Sequence, residues 1–597
     1  MKKETIPSHS ARGCQPAGQH YRGDSSEFCP SQIEVRARCQ FEKILAVALN
    51  PKLDDLGKPE PDWKSSPDAG ADADAPTLCN YGQLEKWLAV ELFALGRLLV
   101  ELFVSAARAG LRKRLGGNAS GRAWRRQFKG RFGLIAYWRE GSRGHFPLDN
   151  LLGIARGGFS HSVCLLACNL ATRMSFAASA EVFERFVGWS PDPGSIENMV
   201  LGVGVDAPSY MEQSAPKRDR SKRQVLVIEI DGKAPPTATE QELEKRSASA
   251  KAAKQQSAEK NARQVDREGE GEGEGKGEES GSRKRCCCQR HRARTIRQRA
   301  RKKKSAAKAK AGGRKPGDQK KGKEDSKAKN GRSATLVVTY VLEEGSDGLL
   351  HGPKDKRAWA DFGPRVNMMQ WAKEEAQRRE FDPQSEDIHL VMDGETCLRA
   401  GMRERFPNAT IALDIRHAEE HLHALGKLVH SSSEHREAFV EHYRAMLHDG
   451  GAHKMTEELQ GVIEDANRQK EKDGLDPDDG EYDELEKGIA YFAKRLDMMD
   501  YGNLKKKDLV IASGQVEGAA RHLVGERMDC GGMRWKVDRG RMVLHLRCIG
   551  FNGDWDNFDR WLSKENHARL AHGKVVRLTS TKPPPMPLSA NQTAQAA

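Results

Sequence analysis

Three acidic residues carry the chemistry that the chain most directly suggests. Asp231 follows the apolar run VLVIEI, Asp393 follows IHLVM, and Glu517 lies early in SGQVEGAARHLVGERMDCGGMRW, between Ser513 and Trp535. Apolar runs of that kind read as strands buried on both faces. Around Glu517, the residues Val516, Ala520, Leu523 and Val524 fall on one stripe of a helix, with the acid at its edge. Hard divalent cations such as Mg2+ take oxygen ligands, combining one or two protein carboxylates with substrate phosphate oxygens. A pair of such ions can activate an attacking hydroxyl and stabilise the leaving oxygen of a phosphodiester. Acids at strand ends are held stiffly, and ligands gather at the carboxyl ends of strands in open α/β sheets. The expectation is that Asp231, Asp393 and Glu517 meet around Mg2+ (or Mn2+) and cut and join DNA. Plain structural readings stand beside it. Asp-Gly after a strand is a common hairpin turn, and Glu517 can pair with Arg521 one helical turn on.

The elements that must position these acids can be read along the 597 residues. Residues 1–80 are rich in Pro, Asp and Ser and read as disordered. Residues 81–215 read as mainly helical. Leu84, Trp87, Leu88, Leu92, Leu95, Leu99 and Leu102 set out a long helix from Gln83 to Ala109 that suits a bundle or dimer. RKRLGGNASGRAWRRQFKGRFG then interleaves Trp124, Phe128 and Phe132 with arginines, a pattern for nucleic-acid contact or for a snorkelled surface turn. Helices capped by Ser175 and Ser195, broken at Gly188, have helix-turn-helix proportions, but the second carries no Lys or Arg through Leu201. A plain helical hairpin is the alternative.

Residues 222–235 and 333–425 supply strand–acid units: Gln224 to Ile230, a strand from Thr335, a helix over 365–380, Ile388 to Met392, a helix from Thr396 to Arg405, and Ala409 to Leu413 ending at Asp414. Between them, residues 236–332 run through GEGEGEGKGEE into a basic arm. An unstructured loop of that length argues against one domain unless it hangs from a hairpin tip, where loop closure costs grow slowly. Residues 426–507 read as a helical insertion, 508–565 as the last part of the core, and 566–597 as a disordered tail. The fold class is therefore α/β, a mixed sheet with a helical insertion, a mainly helical N-terminal region and a basic arm.

The net charge of +14 is uneven. Gly281 to Arg332 holds 22 Lys and Arg against 3 Asp and Glu, a net of +19, so the rest of the chain carries −5. Such an arm binds a polyanion through counterion release without reading its sequence. Arg297 and Lys303 stand for its contacts. The 12 cysteines form no close CxxC pair. Cys286, Cys287 and Cys288 with His291 make one short metal-compatible cluster, and reduced structural thiols are the alternative. There is no apolar run long enough to span a membrane and no apolar leader, so a cytoplasmic, nucleoid-associated protein is expected.

Two longer stretches resemble a known family. SGQVEGAARHLVGERMDCGGMRW resembles the closing segment of DDE transposases of the Kra-type insertion-sequence group. MDGETCLRAGMRERFPNATIALDIRHAEEHL resembles the middle segment shared with wider Mutator-like transposases: Asp393-Gly394, then Phe406-Pro407 and Ala409, then Asp414, His417 and Glu420. VIEIDG resembles the family's opening strand. The resemblance implies a ribonuclease H-like catalytic domain, Mg2+-dependent cleavage and strand transfer of a mobile element's ends, and the triad Asp231, Asp393 and Glu517. Asp414 competes with Asp393 as the second acid. His417 either orients a phosphate or a metal-bound water, or is structural. Arg521, Arg534 and Trp535 are the implied DNA contacts, Trp535 by stacking on an unpaired base or else packing in the core. The implied partners are double-stranded DNA, as terminal inverted repeats and target, and a second copy in a homodimer or higher oligomer. A catalytically silent DNA-binding protein of the same descent and a ribonuclease H-like nuclease are the alternatives. The segment GLIAYWREGSRGHFPLD lacks the cysteines that the family can carry there, and the insert before Thr335 is longer than the family's.

Overall fold

The computed structural model describes residues 30–49, 81–115, 123–141, 145–213, 215–238, 242, 248, 332–473, 480–530 and 533–584. The basic arm, with Arg297, Lys303 and the Cys286–Cys288 cluster, lies outside them. Two compact units divide the chain, Pro236–Arg332 forming one and everything else the other. All that follows concerns the larger unit.

Within the stretch expected to lack structure lies a helix, α1 (Pro30–Leu49), packed against α2 (Tyr81–Arg114). Ile33 is its buried anchor, and Lys43 reaches Glu91 on α2. Proline and aspartate content misled the reading, because one apolar anchor with a long partner helix suffices to order a short one. The aromatic–arginine stretch forms a two-stranded hairpin, β1 (Ala123–Gly130) and β2 (Gly133–Glu140). Two of its aromatics serve the fold: Phe128 is buried edge-on to Tyr137, and Trp124 donates to the Gly141 carbonyl, whereas Phe132 is exposed beside Phe93. Arg126 spends its charge on buried Asp149.

Next come α3 (Pro147–Leu151), α4 (His161–Arg173), α5 (Phe176–Val187), α6 (Pro193–Gly204) and α7 (Ala207–Gln213). Ser175 caps α5 and Gly188 ends it in the left-handed conformation, as its sequence demands. Asp192, not Ser195, caps α6. The helix-turn-helix expectation fails here for a physical reason. Ile196, Met199, Val200, Leu201 and Val203 of α6 are buried, and α6 packs against α4, α5 and a later helix. A helix used as core cannot lie in a groove of DNA. Nor do residues 145–213 form a body of their own, since their apolar side chains join the same core as the sheet.

The sheet holds five strands in the order β5-β4-β3-β6-β7. They are β3 (Gln224–Lys233), β4 (Ala334–Glu344), β5 (Leu350–Asp361), β6 (Ile388–Met392) and β7 (Thr410–Leu413). β4 runs antiparallel to both β3 and β5, whereas β6 lies parallel to β3 on one side and to β7 on the other. β3 and β4 are neighbours in the sheet, paired out to Lys233 and Ala334. β3, β4 and β6 are buried on both faces, as their unbroken Val, Leu and Ile content requires. β5 had no strand signal, because its sequence LHGPKDKRAWAD carries five charged residues among twelve. It is an edge strand with residues 351–356 in solvent, the usual protection of an open edge.

Helices α8 (Arg365–Arg378) and α9 (Thr396–Arg405) follow β5 and β6, and the insertion comprises α10 (Ile415–Val429), α11 (Ser433–His448), α12 (Ala452–Asp473), α13 (Gly480–Ala493) and α14 (Tyr501–Lys506). Its tie to the sheet includes the Tyr501 hydroxyl, which donates to the Leu413 carbonyl at 2.9 Å. Glu517 lies on α15 (Gly514–Ala520), which packs on β3 and β4. The chain closes with α16 (Val537–Phe551) and α17 (Trp555–Ala571). Residues after Ala571, expected to be a free tail, bury Val576 and Leu578 in the main core.

Candidate functional site

The parallel register of three strands places three aspartates side by side. Ile230 pairs with Met392, and Met392 with Leu413. Asp231, Asp393 and Asp414 are the next residues on β3, β6 and β7, and parallel strands lie about 4.8 Å apart. The three acids thus form a row at the carboxyl ends of β3, β6 and β7. Asp231 is not in a turn: β3 continues through Gly232 and Lys233, paired with Thr335 and Ala334. Asp393-Gly394 is not a hairpin either, since it leads into α9.

Each member of the row has a different fate. Asp414 is 2% exposed and serves the fold. Its carboxylate caps α10 by accepting from the Arg416 N–H at 3.0 Å, accepts from the Ser513 hydroxyl, and lies 3.0 Å from His417 Nδ1. Burial pushes this carboxyl up, but the bonds from His417 and Ser513 more than offset it and hold it below the usual range. Asp231 and Asp393, by contrast, form no ion pair among the described residues. The Asp231 carboxyl is pushed up, first by burial and then by Asp393 and Asp414 beside it. Its one described bond is to the neighbouring Gly232 N–H, at 2.6 Å. Asp393 accepts weakly from the Glu395 N–H at 3.3 Å.

His417 stands on the first turn of α10, partly exposed, with its imidazole pushed up to about 9, chiefly by the hydrogen bond to Asp414 and further by Glu420 and Asp393. It is therefore a cation at neutral pH, facing the two unneutralised acids. Exposed Glu420 adds to that field without a described bond of its own to His417.

Glu517 is at the rim. Its side chain is half exposed, 3.4 Å from Arg416 and 3.9 Å from Arg521. Among the described residues no three His, Cys, Asp or Glu side chains are gathered closely enough to hold a metal ion. The donors nevertheless suit a hard cation. Two adjacent, partly buried carboxylates, neither in an ion pair and with one imidazolium between two negative charges, repel each other and favour a further cation. Asp231 and Asp393 would hold such an ion, whereas Glu517 is engaged with Arg416 and Arg521.

Two supports of the site had no signal in the sequence. Glu229, two residues before Asp231 and hence on the same face of β3, is fully buried. It accepts from the Tyr340 hydroxyl and the Val516 N–H, both at 2.7 Å, and so pins α15 to the sheet one residue before Glu517. Burial pushes its carboxyl up to about 7, although both bonds oppose that. The second support is Arg495, after α13. Its guanidinium donates from Nε to the Gly394 carbonyl at 2.6 Å and lies 3.8 Å over the Tyr491 ring. A Cβ at Gly394 would meet Arg495 Nε at 2.0 Å, so only glycine lets the insertion clamp the loop behind Asp393. Charged residues are frequent in this chain, and only the fold reveals which ones converge.

The DNA contacts expected on the closing segment divide. Arg521 and Arg534 are exposed. Trp535 is 7% exposed, donates from Nε1 to the Met528 carbonyl at 3.0 Å, and lies against Arg527 and Phe176. Its ring is core, so stacking on a base is corrected to packing. The helix after Glu517 is not regular: Arg521–Gly525 forms a π-turn. Arg547 bonds the Leu523 and His522 carbonyls there, which stabilises the widened turn.

No helix among the described residues is long and apolar enough to cross a membrane. Compared with protein-family models the chain matches none, and no curated protein sequence matches it.

Proposed function

We propose that this chain is a DDE-type transposase that cleaves and transfers DNA strands, with Asp231, Asp393 and Glu517 as its catalytic acids. The observation that carries this reading is the pair Asp231 and Asp393, unneutralised and adjacent at the carboxyl ends of two parallel strands. The mixed five-stranded sheet and the helical insertion ahead of the last acidic helix support the ribonuclease H-like fold that the family resemblance implies. Asp393 is preferred over Asp414, because the latter is buried and already occupied by three donors. A bound Mg2+ or Mn2+ would supply an activated nucleophile and charge neutralisation at the phosphodiester. The chain's own part is to orient. Asp231 and Asp393 present oxygens from stiff strands, Glu229 and Arg495 hold the backbone behind them, and His417 presents a cation to the phosphate. Double-stranded element ends and target DNA are the proposed substrates, engaged by paired copies of the chain.

The test uses the full chain and a plasmid carrying the DNA that flanks its gene. Mg2+- or Mn2+-dependent nicking and joining at short inverted repeats is the expected result, abolished in Asp231→Ala, Asp393→Ala and Glu517→Ala. Unchanged activity in all three variants overturns the triad. A second reading, a DNA-binding protein without catalysis, is favoured by the engagement of Glu517 with Arg416 and Arg521. Specific binding to those repeats with no metal-dependent cutting would establish it.

A further inference from the structure

The strap after α17 closes a second site, remote in kind from the acidic row. Gly573 to Lys582 runs back over the helical core, with Val576 and Leu578 buried. The Val576 carbonyl accepts from the Arg156 N–H, and the Ser580 N–H donates to the Asn198 carbonyl, each at 2.8 Å. A Cβ at Gly202 would lie 2.4 Å from the Leu578 backbone, so α6 and the strap touch through bare backbone. Between the strap and α17 remains a cleft of about 850 Å³, a size that suits a small-molecule ligand.

Its strap side is basic and hydroxylated, while Val205, Val575, Val576 and the acid Asp206 line the rest. Arg577 and Lys582 are exposed and form no ion pair among the described residues, whereas Arg569 is matched by Asp206 at 2.9 Å and Glu565 at 3.3 Å. Thr579 and Thr581 add hydroxyls. The independent observation is Asn566 on α17. It lines this cleft and its neighbour, is 4% exposed, and has neither its amide nitrogen nor its oxygen paired among the described residues. A buried polar atom without a partner has lost its water and gained nothing in return. An asparagine amide offers one donor edge and one acceptor edge, the pattern that matches a nucleobase such as adenine.

We infer that this cleft binds a nucleoside phosphate, the base edge pairing with the Asn566 amide and the phosphate lying against Arg577, Lys582 and the strap hydroxyls. The ligand is either a free nucleotide or the phosphorylated end of a nucleic-acid strand, and it needs no divalent ion. Isothermal titration of the full chain in EDTA tests this apart from the carboxylate site, with AMP, inorganic phosphate and a 5′-phosphorylated adenine oligonucleotide as probes. Asn566→Leu should weaken AMP at least about tenfold and leave phosphate unchanged. The exposed pair Arg577→Glu/Lys582→Glu should weaken both. Circular dichroism melting should show Asn566→Leu as stable as the parent, because the substitution removes an unpaired amide. Should that variant fail to fold, the exposed pair decides. Oligonucleotide bound more tightly than AMP, with both lost in the exposed pair, assigns a strand end; equal affinities assign the free nucleotide. No AMP binding below about 10 mM, far weaker than a ~1 mM ligand at about −4 kcal/mol, or affinity unchanged in the variants, overturns the inference.

Discussion

At the β5 edge of the sheet, Asp361 receives two 2.7 Å bonds from Arg541, and fully buried Glu375 is held by Arg357, Arg379 and Arg378 at 3.0–3.1 Å. At the carboxyl ends of β3 and β6, Asp231 and Asp393 have no basic partner among the described residues. Both regions withdraw carboxylates from water, yet only one supplies arginine. An acid whose role is architectural must be neutralised when the chain folds, or its desolvation goes uncompensated. An acid whose partner arrives later is left unpaired, and the raised Asp231 carboxyl, driven by burial and by Asp393, records the strain. Glu517 belongs to neither class, being half exposed and loosely held by two surface arginines.

The contrast can be broken most directly through activity. Asp231→Ala or Asp393→Ala should each reduce metal-dependent DNA cleavage at least about a thousandfold, since such groups act as a unit, while circular dichroism melting shows the fold intact. A comparable loss of stability would instead make them architectural. At the other edge, Glu375→Ala should cost about 3–5 kcal/mol in urea unfolding, because it strands the two buried guanidinium groups of Arg357 and Arg379. A cost below 1 kcal/mol, the scale of an exposed pair, would show that the two regions do not differ.

Buried His389 on β6 sharpens the picture through pH. Burial lowers its imidazole from the ordinary 6.5 to about 4, and Nε2 donates to the Val510 carbonyl at 2.7 Å. Between those values the unfolded chain binds the proton and the native chain does not. Stability from this group is therefore complete above pH 6.5 and is lost as pH falls toward 4, by roughly 3 kcal/mol in all. Denaturation at pH 7 and pH 4.5 should show the loss in the parent and a shallower slope in His389→Leu.

Smaller effects test the acidic row itself. Mg2+ should raise the melting temperature of the parent by ligand linkage and leave Asp231→Asn/Asp393→Asn unmoved. Without metal, Asp231→Asn should melt higher than the parent, because removing one charge relieves the repulsion. Smallest of all, Glu517→Ala should change stability by no more than about 0.5 kcal/mol, as an exposed pair does, while abolishing cleavage.

Periodicity carried most of the element order. The VLVIEI and IHLVM runs became β3 and β6, Thr396 to Arg405 is a helix with those ends, and Ser175 caps α5. It misjudged segments whose composition conflicts with their setting: α1 in a Pro- and Asp-rich region, the charged edge strand β5, and the strap that buries Val576 and Leu578.

What the sequence determined by itself is local: an unbroken apolar run must leave water on both faces, so β3 and β6 are buried strands wherever they pack, each with an aspartate at its carboxyl end. What only the tertiary structure decided is non-local. Strand register aligned Asp231, Asp393 and Asp414 across 183 residues of chain. Packing then assigned Ser513 and His417 to Asp414, Arg495 to Gly394 and Glu229 to Val516. The reason is that a charged side chain's environment is set by whichever groups fold against it. No spacing along the chain encodes whether that neighbour is an arginine, another acid or open water.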